Sequence, residues 1–404
     1  MQADKAVTSI DGTVTSPRGF RASGVHCGLK AGQPDLALVV SDLPATAAGT
    51  FTTNKMRSAP VILSESRLTS GRAQAVLVNS GNSNACTGAR GEVDARSMTA
   101  AAAAALGIPE DLVVVASTGV IGRPLPVERI TAGIPALVAA LGSDGMAAAR
   151  AIMTTDAFPK TAAVQVDLGD GVVTIGGIAK GAGMIHPNMA TMIAVMTTDA
   201  PVEAAALRAA LRNAVGRSFN CISVDGDTST SDSVFLIANG AAGVAPIAQG
   251  GGRYDAFLAG LTEVAGRLAR LIVKDGEGTT RVVEVTVQAA TSDADARLAA
   301  GAVMTSPLVK CAFHGAELNW GRISAALGRS CAEVAPDRLA IAVGNVWVVR
   351  GGVGIPDAYP AAEAEVRAPE VRVTIDLGLG QGAFTGWTCD LTEAYVKINS
   401  GYLS

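Results

Sequence analysis

The sequence predicts an α+β fold, a layered α/β sandwich followed by a smaller C-terminal α+β part. Three observations carry that reading. Alternating apolar and polar residues mark strands at 162–167, 172–179, 281–288 and 370–377, the period of two that a strand between a core and another surface requires. Apolar residues at helical spacing mark helices from Pro201 to Val215 and from Tyr254 to Lys274. Finally, strands and helices do not alternate in the regular rhythm of a doubly wound parallel sheet, so layers of mixed elements remain.

In chain order, Gly169-Asp170-Gly171 separates the first two strands and suits a hairpin turn. In the first helix Leu207, Leu211 and Val215 fall on one stripe, and Pro201 suits a first turn because its missing N–H is not needed there. In the second helix Leu258, Leu261, Leu268 and Leu271 share a face, and Gly276 marks the stop. Residues 388–400, Thr-Cys-Asp-Leu-Thr-Glu-Ala-Tyr-Val-Lys-Ile-Asn-Ser, alternate enough to dock as a final strand. Ala-Ile-Met-Thr-Thr-Asp-Ala at 151–157 is echoed by Ala-Val-Met-Thr-Thr-Asp-Ala at 194–200. Seven residues do not establish a duplication, and the pair reads as two similar strand ends.

The chain has 404 residues, enough for two or three domains. Hydrophobic residues are 49% and charged residues 17%, which excludes a disordered or fibrous chain. The 32 basic and 36 acidic residues leave a formal charge of −4 without basic blocks, and aromatic residues are 4%. Neither a phosphate-tracking patch nor a base-stacking platform is present, so no nucleic-acid partner is expected. The first 25 residues lack the apolar core of a secretory signal, and no apolar run is long enough to span a membrane. The expectation is a soluble cytoplasmic protein. Six scattered cysteines read as reduced, packed thiols, and three distant histidines give no structural zinc site or other metal centre.

Two motifs are set aside. Gly378-Leu379-Gly380-Gln381-Gly382 follows a strand, yet no helix pattern follows it, so a dinucleotide site is not expected. The oxygen-rich stretch 225–232 has Thr230 and Leu236 where a calcium loop needs glycine and glutamate. It reads as a turn bonding its own backbone.

The segment that carries chemistry is Lys-Gly-Ala-Gly-Met-Ile-His-Pro-Asn-Met-Ala-Thr-Met, residues 180–192. Gly181 and Gly183 permit close backbone approach, Pro187 fixes a turn, and a strand is expected from Thr191. A threonine after a small residue at a strand start fits an autoproteolytic nucleophile. Its hydroxyl attacks the Ala190 carbonyl, and hydrolysis of the ester leaves Thr191 with a free amine. That amine, with a reference pKa of about 7.7 to 8.0, is a base for its own hydroxyl near neutral pH.

This segment resembles the self-cleavage signature of the ornithine acetyltransferase (glutamate N-acetyltransferase) family of arginine biosynthesis. Residues 76–88, 116–122, 152–160, 218–232, 319–322 and 387–392 resemble further family blocks in the same order. The tail departs, with Ser-Gly-Tyr-Leu-Ser in place of a small-acidic-Tyr-Thr-Thr ending.

The resemblance implies a layered fold of the ornithine acetyltransferase type and cleavage between Ala190 and Thr191. The products would be an N-terminal chain, 1–190, holding the oxyanion hole and part of the substrate site, and a C-terminal chain, 191–404. Two copies of each would form a four-chain particle. Thr191 would take acetyl from N-acetylornithine and pass it to glutamate by a ping-pong cycle without a cofactor. Thr118 and Gly119 match the oxyanion pair, and Thr154, Lys180, Thr191, Glu277, Asn399 and Ser404 match substrate contacts. At position 154, Thr155 is an adjacent alternative. Acetyl-CoA as a second donor would reach the same Thr191, and the residues do not separate the two donors. A self-cleaving aminopeptidase or amidase is the alternative enzyme reading, and a binding protein retaining the fold is the non-enzymatic one.

Overall fold

The computed structural model describes residues 7–186 and 192–401, so Ala190, Thr191 and Ser404 lie outside the described residues. The chain forms two compact units, one of Met1–Asn220 and Asp227–Ile272, the other of Cys221–Gly226 and Val273–Tyr402.

The first unit is a layered sandwich. Its four-stranded sheet runs Phe20–Val25, Leu36–Ser41, Ala75–Asn82, Val113–Val120, and its last pair is parallel. The strand Leu36–Ser41 shows why both faces are covered. Ala37 and Val39 enter a core shared with Ile178, Ile193, Val195 and Phe235 of a second sheet. Leu36, Leu38 and Val40 enter another core, with Met98, Ile130 and Ile134 from the helices Gly88–Leu106 and Val127–Ala139. A strand buried on both faces reads as an apolar run without alternation.

The second sheet has six strands in the order Val7–Ile10, Lys160–Asp167, Val172–Lys180, Ile193–Thr198, Ser233–Ala238, Thr46–Phe51. The predicted hairpin is present, pairing Lys160–Asp167 with Val172–Lys180. Against the outer face lies the helix Gly252–Lys274, where a side chain on Gly177 would meet Leu268 and Val264, and one on Gly260 would meet Val166. The order is therefore helices, sheet, sheet, helix, as the predicted sandwich requires.

The helix details differ from expectation. The first begins at Ala204, not Pro201, because the Pro201 carbonyl accepts the Ile247 amide and holds the chain extended. Leu207, Leu211 and Val215 are buried as expected. In the second, Phe257, Leu261, Val264, Leu268 and Ile272 form the buried face, whereas Leu258 and Leu271 flank it half-buried. The echo at 151–157 and 194–200 is not a pair of strand ends. The second copy lies on the strand Ile193–Thr198, while the first leaves the helix Gly145–Ala151 into a turn whose Asp156 is bound by Lys160 and the Gly181 amide.

The second unit has one six-stranded sheet, Val353–Gly354, Val346–Arg350, Ala340–Val343, Glu370–Asp376, Val282–Ala290, Gly382–Cys389. Val283, Val285, Val287, Val371, Val373 and Ile375 form its inner face, packed on Asp293–Met304, Pro307–His314 and Trp320–Gly328. The predicted alternation at 281–288 and 370–377 is thereby explained.

The final strand is corrected. Pairing ends at Cys389, and Glu393–Gly401 is a helix. Asp390 turns inward to accept the Thr280 and Arg281 amides, and Thr392 accepts the Tyr395 amide at the new helix start. A side chain that caps a helix outweighs weak alternation. The cysteines are free thiols, but packed applies only to some of them, since Cys86, Cys311 and Cys331 are exposed. Among the described residues no helix is long and apolar enough to cross a membrane.

Gly176 tests the stacking of the first unit. A Cβ there would lie 2.0 Å from the Thr13 carbonyl oxygen. Gly176→Ala is expected to cost about 1–3 kcal/mol, as overpacking of a filled interior does. Denaturant unfolding reads this cost, and an unchanged midpoint would show that the segment at Thr13 yields freely.

Candidate active site

The parallel strands Ala75–Asn82 and Val113–Val120 end together, with Ser80 opposite Thr118 and Gly81 opposite Gly119. The pairing then shifts register at Gly81 and Asn82, an irregularity common where a strand end serves a site. Gly119 has φ +126°, and a Cβ there would lie 2.4 Å from the Gly81 carbonyl carbon. Only glycine fits this contact. Buried polar groups hold the strand ends: Ser117 donates to Asn79, Asn79 to the Asn82 carbonyl, and Asn82 to the Arg123 carbonyl.

The strand Val172–Lys180 brings a cation to this point. Lys180 is buried and its Nζ donates to Thr118 Oγ1 at 3.4 Å. Its backbone pairs with Ile193, so the motif residues between them connect the stems of a hairpin in fixed register. Within that connection Met184 has φ +56°, an uncommon conformation for a non-glycine residue, and burial pushes His186 below the usual imidazole range.

A buried lysine needs an anion, and Asp156 supplies it. Asp156 accepts Lys160 Nζ at 2.6 Å and the Gly181 amide at 2.7 Å, and stands 4.0 Å from Lys180 Nζ. Burial alone would raise its pKa, but the charges of Lys180 and Lys160 and the Gly181 bond hold it at about 2. The Thr154 amide also donates to Asp156, at 2.9 Å, which places Thr154 in this cluster. Thr154 and Thr155 are both half-buried.

A further cation, Lys30, stands at the same edge. Its stem lies over Gly81 and its Nζ donates to the Met153 carbonyl at 2.8 Å. Asp35 fixes its loop by accepting the amides of Cys27, Gly28, Leu29 and Lys30. Burial and Asp35 push the Cys27 thiol up to about 12, so Cys27 is no nucleophile.

The second unit holds Glu277 and Asn399. Glu277 is buried, and Asn399 Nδ2 donates to it at 2.7 Å and to the Tyr395 carbonyl at 3.0 Å. Asn399 therefore binds its own helix as well as the carboxylate. Of the residues singled out in the sequence, Thr118, Gly119, Thr154 and Lys180 meet in the first unit, and Glu277 meets Asn399 in the second. Sequence reasoning missed Asp156 and Lys160, whose spacing looks like an ordinary helical pair, as well as Lys30. The signal for the first pair was Pro159 between them, which argues against a helix.

A hydroxyl, a conformationally special glycine and a buried ammonium at adjoining strand ends suit chemistry in which negative charge develops on oxygen, as in acyl transfer. Comparisons with known proteins show the family. The chain belongs to the ArgJ family, whose model matches residues 21–404. It is 52% identical over 397 residues to the arginine biosynthesis bifunctional protein ArgJ of Symbiobacterium thermophilum, covering 97% of this chain and 99% of that one. With the ArgJ protein of Geobacter sulfurreducens it is 53% identical over 390 residues, covering 95% and 99%. A solved ornithine acetyltransferase of Mycobacterium tuberculosis, complexed with ornithine, is 42% identical at a TM-score of 0.42, covering 45% of this chain and 98% of that one.

Asp156 makes a stability prediction. Because its pKa falls from 3.8 to about 2 on folding, its contribution is present above 3.8 and disappears as pH falls through about 2. Asp156→Asn removes that pH dependence, and breaking the buried pair costs about 3–5 kcal/mol at neutral pH. Unfolding titrations at pH 7 and pH 3 read both effects. Wild-type stability in the variant would remove Asp156 from its central place.

Proposed function

We propose that this chain is an acetyltransferase of arginine biosynthesis that moves acetyl from N-acetylornithine to glutamate through an ester on Thr191, after cutting itself between Ala190 and Thr191. Family membership supports the activity. The observation that supports the site is Lys180 meeting Thr118 beside Gly119, at the end of the strand that leads into the cleavage motif.

In self-cleavage Thr191 Oγ bonds to the Ala190 carbonyl carbon, the carbon–nitrogen bond breaks, and the hydroxyl proton ends on the departing nitrogen. Water then hydrolyses the ester. In transfer the new amine takes the Oγ proton while Oγ attacks the acetyl carbon of the donor. Ornithine leaves with the proton, and the glutamate amine then attacks the acetyl ester. The cycle balances without a cofactor.

Thr118 and Gly119 would bind the oxyanion of each tetrahedral species, and Lys180 would add positive charge beside them. Lys180 would also pair with a substrate carboxylate and Glu277 with a substrate ammonium, while Thr154, Asn399 and Ser404 would complete the substrate contacts. Acetyl-CoA would be a second donor to the same hydroxyl.

The products, 1–190 and 191–404, would stay joined because strands from both sides of the cut share one sheet, with Lys180 paired to Ile193. Two copies of each would assemble as a four-chain particle in the cytoplasm.

Purified protein is expected to contain both chains, the C-terminal one opening Thr-Met-Ile-Ala, and Thr191→Ala is expected to stay whole. With donor but no acceptor the 191–404 chain gains one acetyl group, about 42 Da. Cleavage persisting in Thr191→Ala contradicts the mechanism, and acetate release without a glutamate requirement marks a hydrolase instead. Thr118→Ala is expected to lower kcat about 10²–10³-fold, the usual effect of losing one oxyanion donor; normal kcat would exclude Thr118.

A further inference from the structure

Lys30 takes no part in the proposed acetyl transfer, yet its placement is tightly specified. Asp35, whose side chain is fully buried, accepts the amides of Cys27, Gly28, Leu29 and Lys30, which fixes the loop. The Leu29 carbonyl and the Lys30 stem then lie over Gly81, where a Cβ would come within 3.3 Å and 3.1 Å of them. Gly81 is paired with Gly119, so the half-buried Lys30 is delivered to the edge that holds Thr118, Gly119 and Lys180. An ammonium has three hydrogens to donate. One of them goes to the Met153 carbonyl at 2.8 Å, next to Thr154. Among the described residues the other two have no partner, and no carboxylate forms an ion pair with this ammonium.

The charges at this edge do not balance. Lys30, Lys160 and Lys180 bring three ammoniums, whereas Asp156 and Asp35 bring two carboxylates. Asp232 also feels the charge of Lys180, but burial raises its carboxyl well above the usual carboxylate range and keeps it neutral. Burial lowers the pKa of Lys30, and the charge of Lys180 adds to that effect, against Asp35 and Asp156. An arriving carboxylate would offset this and accept the two unused hydrogens. The two amino acids of the proposed transfer differ at one end only. Both carry an α-carboxylate, for which Lys180 is the proposed partner, but ornithine ends in an ammonium and glutamate in a second carboxylate. One cation serves the shared group, and a second is needed by glutamate alone.

We propose that Lys30 is a specificity-determining residue: its ammonium receives the side-chain carboxylate of the acceptor and keeps the side-chain ammonium of the donor away from the same place. This rests on the reading of the chain as an acetyltransferase acting on glutamate. Lys30 forms no covalent bond and moves no proton in this role. It acts on the acceptor half of the cycle and leaves the donor half unaided.

The test compares wild type with Lys30→Met, which keeps a stem over Gly81 and removes the charge. Two reactions are followed: exchange of labelled ornithine into N-acetylornithine with no acceptor present, and acetyl transfer to glutamate. Lys30→Met is expected to lower kcat/KM for glutamate about 10–100-fold, chiefly through KM, the usual loss when a hydrogen bond to a charged group is removed. The exchange reaction is expected to stay near its wild-type rate. An unchanged kcat/KM for glutamate overturns the proposal, and so does an equal fall in both reactions, which a merely structural role would produce. Should Lys30→Met not fold, the wild-type enzyme decides by reductive methylation with formaldehyde, read at Lys30 by mass spectrometry. Protection of Lys30 by glutamate but not by ornithine supports the assignment, and equal protection or none overturns it. A wild-type enzyme that neither exchanges label nor acetylates glutamate overturns the acetyltransferase reading itself, a result distinct from all of these.

Discussion

One buried carboxylate organises the first unit's candidate site. Lys160 opens one strand, Lys180 closes its antiparallel neighbour, and neither ammonium reaches solvent. Two such charges are tolerable only with an anion between them, because an unpaired buried ion loses far more hydration than the fold returns. Asp156 provides that anion and also binds the amides of Thr154 and Gly181. The turn at 154–156, the start of the 180–192 motif and the Lys180 side chain are consequently fixed by one group. Thr118 receives its cationic neighbour through this arrangement, not through any contact of its own sheet.

The backbone imposes a second constraint. Gly119 faces the Gly81 carbonyl carbon too closely for any side chain, at a φ that other residues avoid. Both glycines lie at the ends of parallel strands, where open sheets commonly receive ligands. A rigid double core beneath them, apolar on both faces of Leu36–Ser41, keeps these ends from relaxing. Preorganised groups of this kind stabilise developing charge because nothing need reorient during reaction.

Much of this was legible from residues. The alternation at 162–167, 172–179, 281–288 and 370–377 identified strands because each has one more polar face or a turn beside it. The segment 180–192 stood out through its family resemblance, and its proposed scissile pair, Ala190 and Thr191, lies outside the described residues. The C-terminal helix was misread because Thr392, which caps it, sits inside a weakly alternating stretch. Asp156 and Lys30 escaped for a different reason. Their roles come from burial and from partners brought in by other strands, which no local spacing encodes. The Asp156–Lys160 spacing even imitates a surface helical pair, though both side chains are fully buried.

The central claim is that acetyl passes through the enzyme and not directly between substrates. The measurement that addresses this most directly is isotope exchange with no glutamate present. Enzyme, N-acetylornithine and labelled ornithine are incubated together, and label is followed into N-acetylornithine. An acetyl-enzyme that forms reversibly transfers label at a rate comparable to turnover, with no acceptor required. Absence of exchange, with full transfer once glutamate is added, would contradict a covalent intermediate on Thr191.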